Sequence, residues 1–468
     1  MKLPLALAKA KSQGYDAGMN AARSKKKIID EAALAELYPD HVEILKARYD
    51  RALERAGAGH AVVFSGAPLP VFLDDYNFPY KANPHFVSWL PLTDTPYCYV
   101  IYTPGDRPVL VYFQEKDYWH LPPANPDGFW TGPFDIRIVH TLEDVAKHLP
   151  EDREKCIFIG PTDDEAHAFD IERTNPGTAL NILHFERSVK TGYELECMRA
   201  ASRRGVKGHL AAEKAFRAGK SEFDIHLNYC KAVDHAENEL PYGNIIALNQ
   251  NGAVLHYQHQ SHEKPEEFRS FLIDAGARVH GYASDITRTY SKQDDEFAEL
   301  IARFDQLQLE LVAEVKAGLD FADLHMLCHH KIAKLLDEVG LASGSPDTLI
   351  ETGVTSAFYP HGLGHLLGIQ VHDIGGHMGD DTGTIINPPD GHPFLRLTRL
   401  LEVDQVLTIE PGLYVIDMLI DELAGTAGHA LINQDKLAWL RPYGGIRIED
   451  NVRVIEGGCE NLTRDAFG

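Results

Sequence analysis

The sequence predicts an α+β protein, with a smaller N-terminal α/β domain followed by a larger C-terminal domain. Three observations carry this. Five β-rich runs interleave with helical pieces over roughly the first third of the chain. The composition then changes near Arg187, where long amphipathic helical patterns begin. Beyond them, strands follow helices without strict β-α alternation, the pattern of an α+β rather than a doubly wound unit. At 468 residues the chain also exceeds one ordinary core, so two domains are the default.

Residues 1–30 are small, polar and basic, with Lys25-Lys26-Lys27, and read as a loosely ordered lead-in. Their short apolar run is broken by Lys9 and is brief for a signal peptide. The N-terminal domain is expected over 31–185. A helical pattern at about 32–56 opens it, and HAVVFSG (60–66), YCYVIYT (97–103), RPVLVYF (107–113), IRIVHTL (136–142) and CIFIG (156–160) read as strands between Pro- and Gly-bearing turns. Neither G-x-G-x-x-G nor a P-loop is present, so nucleotide binding is not supported. The boundary falls between about 180 and 192, and 186–468 forms the second domain. Its first helix opens on Thr191 and Glu194, the S/T-x-x-E spacing of a capping box, and a second opens similarly on Ser221 with Asp224. Strands are expected through GNIIALNQNGAVLHY (243–257), and helices at roughly 294–316 and 321–339.

Composition narrows the function. A net charge of −24 argues against nucleic-acid or anionic-membrane partners, which need a basic face. The six cysteines are scattered without C-x-x-C, which fits free thiols in a reducing cytoplasm better than a zinc knuckle or a disulfide framework. No apolar stretch approaches a membrane span. A cytoplasmic protein is expected.

The candidate chemistry starts at FLIDAGARVHGYASDITRTY (271–290), two apolar runs around a Gly-containing turn. In an antiparallel hairpin of this kind Asp274 and Asp285 converge. Two carboxylates in apolar surroundings repel unless a cation sits between them; each could instead cap a turn and face water. PHGLGHLLGIQVHDIGG (360–376) supplies His361, His365 and His372. Its Gly-Leu-Gly interior is poor for a helix and lacks the Glu of H-E-x-x-H, so a zincin is not indicated. The glycines suit a backbone passing close to a site and presenting one His as ligand; a surface loop is the plainer reading. Glu410 ends an apolar run before Pro-Gly, and Arg447 and Glu449 share one strand face in GGIRIEDNVRV, a ligand arrangement or an edge-strand charge pair. Together these segments hold four carboxylates and one imidazole, which balance two divalent cations. Oxygen-rich ligation favours Mn²⁺-like ions, with Co²⁺ and Zn²⁺ as alternatives. Two such ions ~3.5–4 Å apart can share an acidified water, which makes hydrolysis the natural reaction.

The order D-x10-D, HGLGH, TIEPG, RIED, spread over about 175 residues, resembles the pita-bread metallopeptidase superfamily of methionine aminopeptidase, aminopeptidase P and prolidase. ERSVKTGYELECMR, PYGNI, HYQH, HDIGG and HPFLR resemble the bacterial prolidases (Xaa-Pro dipeptidases). FLDD (72–75) and the N-terminal domain resemble the organophosphorus acid anhydrolases, prolidases with a side activity. The resemblance spans about residue 40 to the C-terminus and implies a pita-bread (creatinase/aminopeptidase-like) second domain. It implies that Asp274 holds one metal, His365 and Glu410 the other, and that Asp285 and Glu449 bridge both. His361 is then a pocket residue. His372 stabilises the tetrahedral intermediate, and His256 lines the proline pocket. Arg396 and Arg447 orient the substrate carboxylate and the metal-site network. Tyr242 lies in the pocket, and Asp75 reaches the neighbouring protomer's site in a homodimer. The implied reaction is cleavage of Xaa-Pro dipeptides by a metal-bridging hydroxide, with Glu410 moving the proton to the leaving nitrogen. Release of the first residue from longer Xaa-Pro peptides, as by aminopeptidase P, is the near alternative; organophosphorus ester hydrolysis is an expected side activity. A non-catalytic pita-bread binding module is disfavoured because all five ligand positions are retained.

Overall fold

The computed structural model describes residues 28–468. Of the lead-in expected over 1–30, residues 1–27 lie outside the described residues. Asp30 already serves as a cap: its carboxylate accepts from the Ala32 N–H at 3.0 Å and opens the helix Glu31–Ala56, which Gly57 ends in the left-handed conformation at φ 58°.

The N-terminal domain is built on β1 (His60–Phe64), β2 (Tyr99–Tyr102), β3 (Val109–Phe113), β4 (Asp135–Val139) and β5 (Cys156–Ile159), in the order β4-β3-β2-β1-β5. The sheet is mixed: β1 pairs with β5 and β3 with β4 in parallel, while β2 runs antiparallel to both neighbours. The inner strands β1, β2 and β3 are apolar and buried nearly throughout, as strands covered on both faces should be. The edge strand β5 is buried as well, its outer side covered where Phe158 N donates to the Arg173 carbonyl at 2.9 Å and Asn175 N to the Phe158 carbonyl at 2.8 Å. Helices Glu31–Ala56 and Gly177–Arg187 pack together against this layer.

The C-terminal domain begins with the helices Gly192–Arg217 and Glu222–Val233. The first carries a full capping box: Thr191 Oγ1 accepts from the Glu194 N–H, and the Glu194 carboxylate accepts from the Thr191 N–H at 2.8 Å. These helices cover a sheet of β6 (Ile245–Leu248), β7 (Ser270–Asp274) and, beyond a small hairpin of β8 (Arg278–Val279) and β9 (Tyr282–Ala283), β10 (Thr287–Ser291), in the order β10-β7-β6. The helices Glu296–Val312 and Phe321–Glu338 back a second layer made of β11 (Val406–Ile409), β12 (Gly412–Tyr414), β13 (Gly445–Arg447), β14 (Asp450–Ile455) and β15 (Gly458–Asn461). β11, β14 and β15 form one ladder and β12 and β13 another; a bridge between Thr287 and Glu449 joins this layer to β10.

Two local expectations are corrected. The stretch after β6 is not extended: Asn249–Ala253 is a 3₁₀ turn, with Asn249 at φ 57° and its side-chain oxygen accepting from the Arg269 N–H at 2.8 Å. Asn is among the few residues that tolerate this conformation, and its side chain replaces the ladder. The link between the two Asp-bearing strands is not one tight turn but the separate β8–β9 hairpin, whose His280-Gly281 tip has both φ values positive.

The seam between the domains is buried and mixed: Tyr38 and Trp89 share one apolar core with Tyr193, Leu195 and Leu367, and buried polar contacts cross beside it. His41 contacts Thr191 Oγ1 and the Ser88 carbonyl, both at 2.8 Å. Arg187 and Lys190 converge on Asp373, all three buried. A cavity of about 590 Å³ opens along the seam, lined by Lys81, His85, His184, Arg187 and Arg278, none of which belongs to the acidic cluster described next.

Candidate active site

Asp274 ends β7, and Thr287, not Asp285, is its partner across the β7–β10 ladder. Because strand side chains alternate, Asp285, two residues from Thr287, still faces the same side. The Asp285 backbone is held from both sides: its N–H donates to Asn451 Oδ1 at 3.0 Å and its carbonyl accepts from Asn451 Nδ2. The Tyr242 hydroxyl sits between the two carboxylates, 2.7 Å from Asp274 Oδ1 and in hydrogen-bond contact with Asp285 Oδ1.

The H-x-x-x-H segment is not helical. It lies against β11, where Thr408 N donates to the His365 carbonyl at 3.0 Å and Glu410 N to that of Leu363 at 2.8 Å. Gly364 makes this approach feasible, since a Cβ there would stand 2.0 Å from the Thr408 carbonyl oxygen. His365 Nδ1 donates to the Leu366 carbonyl at 3.0 Å, leaving Nε2 to face Asp285 Oδ2 and Glu410 Oε1, each 3.5 Å away. Asp285, His365 and Glu449 offer one ligand atom each within 4.8 Å of one another. Glu449 Oε2 accepts from the Thr287 hydroxyl at 2.6 Å, while Glu449 Oε1 is buried without a partner.

All five acidic and imidazole positions singled out in the sequence therefore meet, Asp274 through Tyr242 and Glu410 through His365. Their electrostatics reflect crowded charge. Burial and the neighbouring carboxylates push Glu449 well above the usual range, and burial carries Glu410 to about 7. Burial and Asp285 raise Asp274, whereas Asp285 is held low, against burial, by its contact with His365.

The surrounding residues fall into two groups. Arg447 is buried and committed internally: Nη2 donates to Asp274 Oδ2 at 2.8 Å and Nη1 to the Tyr414 hydroxyl at 3.0 Å. The same hydroxyl lies 2.8 Å from His361 Nε2. His372, His256 and Arg396 are exposed on the open side; the His372 ring stands edge-on to His365 with centroids 4.4 Å apart. Although its residue surface is open to solvent, the His372 ring is partly enclosed where it meets His365; that desolvation, then the charges of His365 and Arg396, depress its imidazole to about 4. Asp75 is not brought into this cluster. It lies in the exposed turn between Val71 and Tyr76, its N–H donating to Asp74 Oδ1 at 2.8 Å.

Sequence reasoning missed Tyr414, Thr287 and Asn451, which position Arg447, Glu449 and Asp285. Thr287 was accessible from strand alternation alone, two residues from Asp285. Tyr414 and Asn451 carried no local signal.

Residues 36–185 match the Xaa-Pro dipeptidase N-terminal domain family, and residues 196–456 match metallopeptidase family M24. An Xaa-Pro dipeptidase of Shewanella frigidimarina is 49% identical over 435 residues, covering 93% of this chain and 99% of that protein. One of Xanthomonas campestris pv. campestris is 48% identical over 438 residues, with 93% and 99% covered. Among solved structures, the aminopeptidase PepP of Pseudomonas aeruginosa superposes with a TM-score of 0.70 at 22% identity, covering 94% of this chain and 96% of that one. Aminopeptidase P of Escherichia coli with the inhibitor Pro-Leu gives 0.69 at 22% identity, with 92% and 95% covered. At that identity the two structures speak to the shared fold.

Proposed function

The chain belongs to metallopeptidase family M24, behind an Xaa-Pro dipeptidase N-terminal domain, and on that ground we propose that it hydrolyses Xaa-Pro dipeptides with a pair of divalent cations. The observation that carries this reading is the convergence of four carboxylates and one imidazole, among them Glu449 with its Oε1 buried and unpartnered. That donor set fits hard or borderline divalent ions, Mn²⁺ foremost, with Co²⁺ and Zn²⁺ as substitutes. Asp274 would hold one ion, His365 and Glu410 the other, and Asp285 and Glu449 would be shared. When bound, such ions supply Lewis acidity, polarising a carbonyl oxygen and acidifying water.

The remaining steps belong to the chain. Arg396 has no hydrogen bond or ion pair occupying its guanidinium among the described residues, and on the open side it suits the carboxylate that follows proline. A charge anchored there limits substrates to two residues, which favours a dipeptidase over an aminopeptidase P. His256 closes the edge of the proline subsite. A ring N–H of His372 donates to the carbonyl oxygen as it gains charge. Glu410 passes a proton to the imino nitrogen, which as a tertiary amide brings no N–H of its own. Arg447, Tyr414 and His361 hold the Asp274 carboxylate in a fixed orientation, and Tyr242 spaces the two aspartates.

Two finer features belong to the same proposal. The 69–78 turn exposes Phe72 at 86% and Leu73 at 90%, which supports a second copy covering it and receiving Asp75. Six free thiols support a reducing, cytoplasmic setting, and no helix among the described residues is long and apolar enough to cross a membrane. Organophosphorus esters are expected as slow side substrates.

The test is a panel of Ala-Pro, Leu-Pro, Gly-Pro and Gly-Pro-Ala with Mn²⁺, Co²⁺ or Zn²⁺. Dipeptide cleavage with the tripeptide spared supports the reading. Failure to cleave any Xaa-Pro dipeptide with any of the three ions refutes it.

A further inference from the structure

We propose that a second metal site, made only of imidazoles, stands beside the acidic cluster: His325 and His329 of the Phe321–Glu338 helix and His392 of the turn at 389–395 bind one transition-metal ion of the Zn²⁺, Ni²⁺ or Cu²⁺ class. His325 and His329 are one helical turn apart, so their rings project from one face. Both are 1% exposed, and His392 is half-buried over them. The ring centroids are separated by 4.8, 4.8 and 4.6 Å, and one nitrogen from each lies within 4.8 Å of the others.

The nitrogens stand at ligand spacing, and among the three rings there is a single hydrogen bond, between His325 Nε2 and His392 Nδ1. His325 Nε2 and His392 Nδ1 are 3.0 Å apart, close to the separation of about 3.3 Å between two nitrogens on one tetrahedral Zn²⁺. His329 Nδ1 lies 3.1 Å from Thr355 Oγ1, whose oxygen accepts a hydrogen bond from the ring N–H. That contact directs the lone pair of His329 Nε2 into the cluster, where Nε2 is buried with no partner. A metal-ligating histidine is held in just this way through its other nitrogen, and an unpartnered buried nitrogen otherwise calls for an explanation.

No carboxylate belongs to this cluster, which separates it chemically from its neighbour. Imidazole alone selects borderline ions, whereas the four-carboxylate set suits Mn²⁺. Tyr359 links the two, its ring centroid 5.0 Å from that of His329 and 4.9 Å from that of His361. An ion here would tie the helix to the segment that carries Arg396, four residues beyond His392.

The experiment counts metal in the full chain. Wild type, H392Q, H329Q, D285N and D285N/H392Q are saturated with Mn²⁺, equilibrated with micromolar Zn²⁺, desalted, and assayed for total Mn plus Zn per chain by mass spectrometry. The expected result is one ion fewer in H392Q and H329Q than in wild type, and one fewer in D285N/H392Q than in D285N. Because D285N disables the acidic cluster, the second comparison holds whatever that cluster binds. H392Q alters a half-buried turn, so unchanged circular dichroism certifies its fold should H329Q not fold. Equal totals in wild type and correctly folded H392Q overturn the proposal.

Discussion

Replacing Asp373 by Asn should loosen the joint between the two domains and, through the adjacent residue, the active site. The Asp373 carboxylate accepts from Lys190 Nζ at 2.8 Å and from Arg187 Nη2, and the two cationic side chains are only 1% and 5% exposed. Asn preserves the shape but leaves two buried cations without a counter-charge, and breaking a buried ion pair in this way costs ~3–5 kcal/mol. The wild-type carboxyl is held at about 2, against burial, by Arg187 and Lys190, below its ordinary value of 3.8. A carboxyl depressed in the folded state stabilises fully above its unfolded value and loses that contribution as pH falls through the folded one. The contribution is therefore ~2 kcal/mol at pH 7, roughly half gone at pH 3, and absent in Asn. Urea unfolding followed by intrinsic fluorescence at pH 7 and pH 3 measures both effects. The gap between wild type and D373N should be several kcal/mol at pH 7 and narrower by ~1 kcal/mol at pH 3. Since His372 precedes Asp373, kcat on Ala-Pro should fall as well. A gap below ~1 kcal/mol at pH 7, or one equally wide at pH 3, would refute the reasoning.

Three other outcomes are expected. Y414F removes the hydroxyl shared by Arg447 and His361 and leaves buried groups unpaired; stability should drop by about 1–3 kcal/mol in denaturant melts, with a lower kcat/KM. R396Q should raise KM for Ala-Pro by about 10–150-fold, the worth of ~1.5–3 kcal/mol in a charge-assisted bond, and should matter far less for Ala-Pro-amide. T287V strips Glu449 Oε2 of its donor, and Mn²⁺ affinity measured by titration calorimetry should fall about 10–100-fold with the fold retained.

What could be read from the one-dimensional chain was whatever neighbouring residues settle between themselves. The apolar runs of β1–β5, the capping box of Thr191 and Glu194, and the turn-prone glycines all act within a few residues, so their patterns survive in the letters. The five acidic and imidazole positions were legible because their order along the chain is specific. Their neighbourhood was not. Asn451 grips Asp285 from 166 residues away, Arg447 reaches Asp274 across 173, and Arg187 finds Asp373 across 186. The same holds for His392 against His325, 67 residues apart. Such pairs arise when separate layers pack and close long loops, at an entropic cost that grows only slowly with length. Local periodicity therefore leaves no trace of which partner is chosen. Asn249 makes the point in miniature: its apolar surroundings read as strand, yet a contact to the Arg269 N–H, set by packing, holds it in a turn.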